Sequence, residues 1–180
     1  MTAPVFSASL EALLTSAGSP VVPNGPVLFD ALPHVGKALR ADRCFLYLRN
    51  PRSAMGKIAF CWCRNQSIPD VTEPAWKTDL SIADEDPLFA AALRADPSVF
   101  VEDVETADPA TVNRAFEART FGHRALIHAH LVHEGELWGI LQPCVFGRPR
   151  RWSASERQWI EALLPRLLPR AIAFVGETGG

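Results

Sequence analysis

The sequence lacks the signals that mark membrane-spanning, secreted and nucleic-acid-binding proteins. Its apolar segments are short, as in ALIHAHLV, or are broken by arginine and proline, as in LLPRLLPRAIAFV, so we expect no transmembrane helix. The N-terminus has no positively charged start of a signal peptide, which makes the cytoplasm the expected location. The formal net charge of −2 supplies no basic field, so we expect no nucleic-acid or membrane partner.

Catalytic and disulfide signatures are missing as well. The sequence has no G-x-S-x-G motif, no P-loop, no H-E-x-x-H and no glycine fingerprint of a dinucleotide-binding fold. Its four cysteines do not have the spacing of a disulfide framework, and in the expected compartment they are reduced. We therefore predict a protein that is not an enzyme.

What the sequence does contain is a succession of helix and hairpin signals. Its 180 residues, 48% hydrophobic and 21% charged, suit one globular domain. Hairpins separated by helices predict an α+β fold, in which helices pack against a mainly antiparallel sheet. Helices are predicted over 7–18, 27–41, 86–96, 108–122 and 153–175; strands over 44–50, 57–64, 98–104, 125–132 and 136–145; and an irregular connection over 66–86.

Several helix ends carry recognisable capping signals. The dipeptides Asp86–Pro87 and Asp108–Pro109 each predict the start of a helix. A capping box spans Ser153–Glu156 at the start of the last helix. Because proline lacks the backbone N–H, we expect Pro165 and Pro169 to kink or interrupt that helix.

From residue 86 onward the sequence resembles the second half of a GAF domain. LWGIL at 137–141, followed by PRRWSASE at 149–156, is similar to the GAF domains of phytochromes and cyanobacteriochromes, which hold a linear tetrapyrrole. The resemblance covers 27–175 and leaves 1–26 as an N-terminal extension and 176–180 as a tail. It implies a GAF (PAS-like) fold with a five- or six-stranded antiparallel sheet. It also implies a pocket between the sheet and the mid-chain helices, and a homodimer formed by the terminal helices.

The resemblance also implies that the usual bilin anchor is absent. Bilin-binding members carry a Cys-His pair in the helix before a strand, and alignment on Phe121 and Gly122 puts Asn113 and Arg114 there. The Asp-x-Pro motif of these members is present only in a shifted form, within 84–87. Both departures argue against a covalent bilin, whereas a non-covalent tetrapyrrole, bilin or haem, stays open as a cofactor.

The candidate ligand contacts centre on the last two strands. His128 and His130 alternate on one strand and share a face, where the resemblance implies contacts with a ligand. A two-residue turn pairs His128 with Leu141, whereas a three-residue turn pairs it with Ile140 and puts Cys144 on the same face; we favour the second. The full set of candidates is Leu126, His128, His130, Gln142, Cys144 and, as a cover from the long connection, Trp76.

The cysteines have alternative interpretations. Cys144 is either a thiol at the mouth of the site or a small buried apolar residue, and we favour the second. Cys61 and Cys63 share a strand face, which raises the question of a zinc site with the histidines. The strand order implied by the resemblance separates the two strands by three spacings, about 14 Å, and we therefore predict no metal site.

These features favour a non-enzymatic sensory domain. It is expected to bind a small-molecule ligand over the sheet and to pass the signal through its terminal helices to a partner protein. Three alternatives stay open: a chromoprotein with a non-covalent tetrapyrrole, a ligand-free interaction module, and a thiol enzyme that uses Cys144.

Overall fold

The computed structural model describes residues 4–15 and 23–179. Its centre is one six-stranded sheet of order β3-β2-β1-β6-β5-β4, in which neighbouring strands are antiparallel. The α+β prediction, with helices on an antiparallel sheet, is confirmed. The strands are β1 Arg43–Asn50, β2 Met55–Cys63, β3 Lys77–Thr78, β4 Val99–Val101, β5 Ala125–His133 and β6 Glu136–Val145. The helices are α1 Ala8–Thr15, α2 Asn24–Ala38, α3 Ile82–Glu85, α4 Pro87–Leu93, α5 Arg114–Thr120 and α6 Ala154–Thr178.

The two faces of the sheet are covered by different helices. Residues alternate between the faces along each strand, so that Leu46 joins one buried cluster and its neighbour Phe45 joins the other. The first cluster holds the apolar sides of α1, α2 and α6, including Leu28 and Ile160. The second lies under α4 and the segments around it. The candidate site belongs to this second face.

The β5–β6 hairpin has a register that the sequence analysis did not predict. The turn has two residues, Glu134 and Gly135, both with positive φ, as a type I′ turn requires. A bulge follows at Trp138, which shifts the pairing and puts His128 opposite Gln142. The predicted pairing with Ile140 is therefore wrong by two residues. A shift of two residues leaves each side chain on its face, so the predicted face is right.

Helix α6 is continuous through both of its internal prolines, contrary to the predicted interruption. Pro165 and Pro169 are exposed and lie four residues apart on the outer side. The two carbonyl groups that lack a helical donor belong to Glu161 and Pro165, which are exposed residues, while Leu164 and Leu167 pack inward. The capping box of Ser153 is confirmed, since its hydroxyl accepts from the backbone N–H three residues later.

Two further boundaries differ from the prediction. Helix α5 begins at Arg114 and not at Asp108, because residues 108–112 close into turns on Asp108. The backbone of Asn113 is extended, and its side chain accepts a hydrogen bond from Phe116 N–H as the true N-cap. The connection over 66–86 is not wholly irregular, since it contains the edge strand β3 and the short helix α3.

The N-terminal segment packs onto the domain. Phe6, Leu10 and Leu14 belong to the first buried cluster, and the ring of Phe6 meets Trp159 edge to face at 5.1 Å. Helix α2 begins within the segment predicted as an extension, and α6 runs three residues beyond 175, to Thr178. The helix predicted over 7–18 is described as far as Thr15, and residues 16–22 lie outside the described residues. In the part of the chain that the structure describes, no helix has the length and apolar character needed to cross a membrane.

Candidate functional site

A cavity of about 150 Å³ lies between the second sheet face and helices α3, α4 and α5. Strands β1, β2, β5 and β6 form its floor, and the helices and the connection before α3 form its walls. Most of its surface is apolar and aromatic, which is usual for small-molecule sites. The rings that line it are those of Phe45, Tyr47, Phe89, Phe116 and Phe121.

Five polar side chains open onto the same cavity. Gln142 and Thr120 offer an amide and a hydroxyl, and His128 offers a ring nitrogen. Asp86 and Glu73 contribute carboxyl groups. Glu73 is already engaged on both oxygens, because Ile58 N–H and the Lys77 ammonium donate to them at 2.9 Å each. A few polar groups on an apolar wall give the cavity the character of a binding site.

A hydrogen-bonded relay fixes the orientation of His128. The Nδ1 atom of His130 lies 2.8 Å from the carbonyl oxygen of Asp96, at the end of α4. The Nε2 atom of His130 lies 2.8 Å from Nδ1 of His128. Burial, reinforced for His128 by the neighbouring His130, holds the pKa of both imidazoles below the usual range, so both rings are neutral.

Asp86 combines a structural role with an unusual titration. Its side chain caps α4 by accepting from Leu88 N–H at 2.9 Å. Burial and the nearby Glu117 carboxylate raise the pKa of Asp86 to about 7. A cavity wall that exchanges a proton near neutral pH can change its charge in response to a ligand or to pH.

A buried group of charged side chains, Arg43, Glu117 and His123, lies beside the cavity. The Arg43 guanidinium is stacked near the rings of Phe45 and Phe121 and donates to the carbonyl oxygens of Pro69 and Phe121 at 3.1 Å each. His123 Nε2 lies 2.7 Å from a carboxylate oxygen of Glu117, in ionic contact without a well-aligned hydrogen bond. These contacts tie β1, α5 and the segment before β5 together beside the cavity, on the same face of the sheet.

His123 is the ionisable partner in this group. Burial opposes its charged form, but the Cys144 thiol and the Glu117 carboxylate raise the pKa of His123 to about 9. A charged His123 beside Glu117 offsets the charge of the carboxylate that raises the pKa of Asp86.

The structure brings together only part of the predicted set of contacts. His128 and Gln142 line the cavity, and His130 contacts His128 through a hydrogen bond without lining the cavity itself. Leu126 and Cys144 lie on the same face but are fully buried in the core beside the cavity. Trp76 is on the other side of the sheet, where it packs against the first cluster with the Lys57 ammonium 5.2 Å from its ring. It is therefore not the expected cover.

Several lining residues were not predicted from the sequence. Phe45 and Tyr47 alternate along β1, so their shared face was readable, but nothing in the sequence said which face carries the cavity. Phe116 and Thr120 come from α5, whose start was placed six residues too early. Asp86 was identified only as a cap. Its position at the N-cap of α4 also places Asp86 in the wall of the cavity.

The cysteines are placed as core and strand residues. Cys144 has no exposed surface and donates from its thiol to the Gln142 carbonyl oxygen at 3.4 Å. The sulfur atoms of Cys61 and Cys63 are 3.8 Å apart, and burial raises the pKa of Cys61 to about 12. Strand β2 is three positions from β5 in the sheet, as the implied strand order predicted. Within residues 4–15 and 23–179, no three His, Cys, Asp or Glu side chains are arranged to hold a metal.

A second, more open depression runs beside the edge strand β4. Its volume is about 460 Å³, and it is bounded by 99–103, 106–108, 111–112 and 149–151. The Arg150 guanidinium at its rim is already engaged by the Glu156 carboxylate and stacks over Trp152 at 4.4 Å. We regard the enclosed cavity over β5 and β6 as the candidate site, because it combines enclosure with inward-facing polar groups.

The chain belongs to the GAF domain family, whose model matches residues 27–167. The domains of this family are generally regulatory sensor modules. A comparison with curated proteins gave no match.

Solved structures agree with this assignment. The GAF domain of an Acinetobacter phosphoenolpyruvate-protein phosphotransferase is similar with a TM-score of 0.68 and 16% identity, covering 96% of this chain and 95% of that one. The phycoerythrobilin-bound GAF domain of a cyanobacterial phytochrome has a TM-score of 0.69 and 15% identity, covering 95% and 98%. The chromophore-binding domain of a bacteriophytochrome from R. palustris has a TM-score of 0.69 and 14% identity, covering 94% and 62%. At these identities the likeness concerns the fold.

The cavity does not fit a tetrapyrrole. Pockets that enclose drug-sized ligands measure about 300–1,000 Å³, whereas this one measures about 150 Å³. None of the four cysteines lines it, so no thiol is placed to form a thioether bond with a chromophore. The residues present suit a much smaller molecule.

Proposed function

We propose that this GAF domain is a sensory module that binds a small, single-ring molecule in the cavity over β5 and β6. The observation that carries the proposal is the preformed cavity, with His128, Gln142 and Asp86 directed into an aromatic enclosure. An apolar cavity of about 150 Å³ accommodates a molecule the size of benzene. The presence of this space favours ligand binding over a filled, ligand-free interaction module.

The sheet offers a route from the cavity to the terminal helices. Ile140 faces the cavity, and the next residue in β6, Leu141, lies in the cluster that packs under α2 and α6. A ligand that binds one arrangement of this strand more tightly shifts the population of helix arrangements on the other face. In this proposal the domain works in the cytoplasm as a homodimer and signals to a partner protein without catalysing a reaction.

The buried thiol gives no support to an enzymatic alternative. A nucleophilic cysteine needs access to a substrate and a lowered pKa. Cys144 has no exposed surface and is not among the cavity-lining side chains. The proposal therefore assigns Cys144 to the core.

The proposal is tested by a phenol titration followed through isoleucine methyl signals in nuclear magnetic resonance spectra. Ile58, Ile82 and Ile140 line the cavity, whereas Ile160 is buried on the other side of the sheet. We expect saturable shifts at the three cavity residues and none at Ile160.

The variant Ile140→Phe, which fills the cavity, should abolish the shifts at Ile58 and Ile82. The exposed control His133→Phe should leave them unchanged. Shifts spread evenly over the protein, or none at millimolar phenol, would contradict a binding site in this cavity.

A further inference from the structure

We infer that the cavity selects ligands that carry an N–H or O–H donor, because His128 presents an unprotonated ring nitrogen to the ligand. This inference rests on the proposed function and specifies the chemistry of the same site.

The direction of the hydrogen bonds behind His128 is fixed at one end by a backbone carbonyl. A carbonyl oxygen only accepts, so Nδ1 of His130 must carry the hydrogen that it donates to Asp96 O at 2.8 Å. In a neutral ring the other nitrogen is then an acceptor. Nε2 of His130 therefore accepts from Nδ1–H of His128 across 2.8 Å. It follows that Nε2 of His128, the nitrogen left for the cavity, is bare.

The surroundings keep His128 in this neutral form. Its ring is buried, and its hydrogen-bond partner is another imidazole. No carboxylate among the described residues forms an ion pair with it. A charged His128 would keep its bond to His130 but would place an unpaired positive charge against a mostly apolar cavity, which is costly. The lowered pKa of His128, caused by burial and by His130, agrees with the geometry.

The charges at the cavity wall point in the same direction. No lysine or arginine is among the side chains that line it. The buried Arg43 guanidinium lies against the rings of Phe45 and Phe121 and donates to two backbone carbonyls. Among the lining groups, Nε2 of His128 is an acceptor to which no described protein group donates. A donor on the ligand satisfies this nitrogen, whereas a purely apolar ligand leaves it buried without a partner.

The test compares phenol with toluene, two probes of the same size that differ in one hydroxyl group. An apolar cavity prefers toluene, because the phenol hydroxyl loses its bonds to water. We expect the reverse order here, with phenol bound about threefold to tenfold more tightly, as one buried hydrogen bond implies. In His128→Phe toluene should bind more tightly than phenol, and the exposed control His133→Phe should keep the order of the unmodified protein.

A second measurement needs no ligand and no variant. Long-range proton–nitrogen correlation spectra distinguish a bare from a protonated imidazole nitrogen, and we expect Nε2 of His128 to be bare between pH 6 and 8. A protonated Nε2 would overturn the inference even if phenol binds.

The two proposals fail in different ways. If toluene binds as tightly as phenol or more tightly, the donor preference is wrong, and the proposed binding site stands. If neither phenol nor toluene shifts the methyl signals of the cavity isoleucines, both the proposed binding site and the donor preference are wrong.

Discussion

His128 and Asp86 face one cavity and differ in what they offer to a ligand. The histidine is held neutral by burial and by a relay that ends on a backbone carbonyl. The aspartate is buried close to Glu117, and its pKa is raised to about 7. Only the aspartate is therefore expected to change its charge near neutral pH.

The titration of Asp86 predicts a pH dependence of stability. Its folded-state pKa of about 7 lies above the ordinary aspartate value of 3.8. Folding therefore takes up a proton between about pH 4 and 7, and the stability that this proton contributes is lost as the pH rises through 7. Asp86→Asn keeps an N-cap oxygen and cannot ionise. We expect this variant to gain up to roughly 4 kcal/mol over the unmodified protein between pH 4 and pH 8.

Urea unfolding at several pH values measures this difference. Asp84→Asn, at an exposed position two residues away, is the matched control and should track the unmodified protein. A constant difference between Asp86→Asn and the unmodified protein across this pH range would show that Asp86 does not take up a proton on folding.

At the same scale, the sequence predicted some contacts and missed others for physical reasons. Alternation along β5 was enough to put His128 and His130 on one face. It does not reveal that His130 turns away to bond Asp96, because that contact joins segments 34 residues apart. The prediction that Trp76 covers the cavity was wrong for a related reason. A residue next to an edge strand can pack on either side of the sheet, and the local sequence does not show which side.

At the scale of the secondary-structure elements, the sequence predicted most helices and strands. It predicted some helix starts and the register of the β5–β6 hairpin incorrectly, because packing determines them. The Asp-Pro signal is correct at Asp86 and misleading at Asp108, where the same side chain closes a turn on Ala110 N–H. The turn has two residues where three were favoured, which moves the register by one residue, and the bulge at Trp138, which had no sequence signal, moves it by one more. The prolines of α6 were expected to break the helix, but their exposed position lets water replace the missing donors.

The true start of α5 is tested by removing its cap. Asn113 accepts from Phe116 N–H at 3.2 Å and donates to Glu85 O at 2.9 Å, joining α5 to α3 beside the cavity. We expect Asn113→Ala to lower the free energy of unfolding by about 1–2 kcal/mol. Asn113→Asp, which keeps the capping oxygen and loses the bond to Glu85, should lose less. Urea unfolding that shows a larger loss for Asp108→Ala than for Asn113→Ala would favour the earlier helix start.

At the scale of the molecule, the N-terminal helix is part of the folded unit. Leu10 is almost fully buried against the first cluster, and Glu11 forms a bidentate ion pair with Arg166 of α6 at 2.8 Å. We expect Leu10→Ala to cost about 2–5 kcal/mol in urea unfolding, as for a core leucine. Glu11→Gln should cost much less, because exposed ion pairs contribute little. A Leu10→Ala protein as stable as the unmodified one would mean that α1 is a detachable extension.

The proposed homodimer has a specific surface to test. Phe29 of α2 is 46% exposed, and its ring lies 6.2 Å from Phe60, which in turn lies 5.2 Å from Phe174 of α6. If the terminal helices form the dimer, Phe29→Lys should weaken self-association at least tenfold in sedimentation measurements. Leu80→Lys, at an exposed apolar residue close to α3, is the control and should not. A monomeric unmodified protein at high concentration would contradict the dimer.

The general fold could be predicted from the sequence, whereas the cavity and its lining could not. Hairpins, capping signals and the GAF-like stretch after residue 86 indicated an antiparallel sheet with helices, which the structure and the family assignment confirm. The size of the cavity depends on the distances at which α4 and α5 pack against the sheet. Those distances arise from packing between distant segments, so no local pattern records them.

The most direct test of a ligand site in this cavity is a crystal structure of the protein soaked in phenol. We expect one phenol between the aromatic walls, with its hydroxyl oxygen within hydrogen-bond distance of Nε2 of His128. A cavity that holds only water, or phenol bound solely at the open depression beside β4, would contradict it.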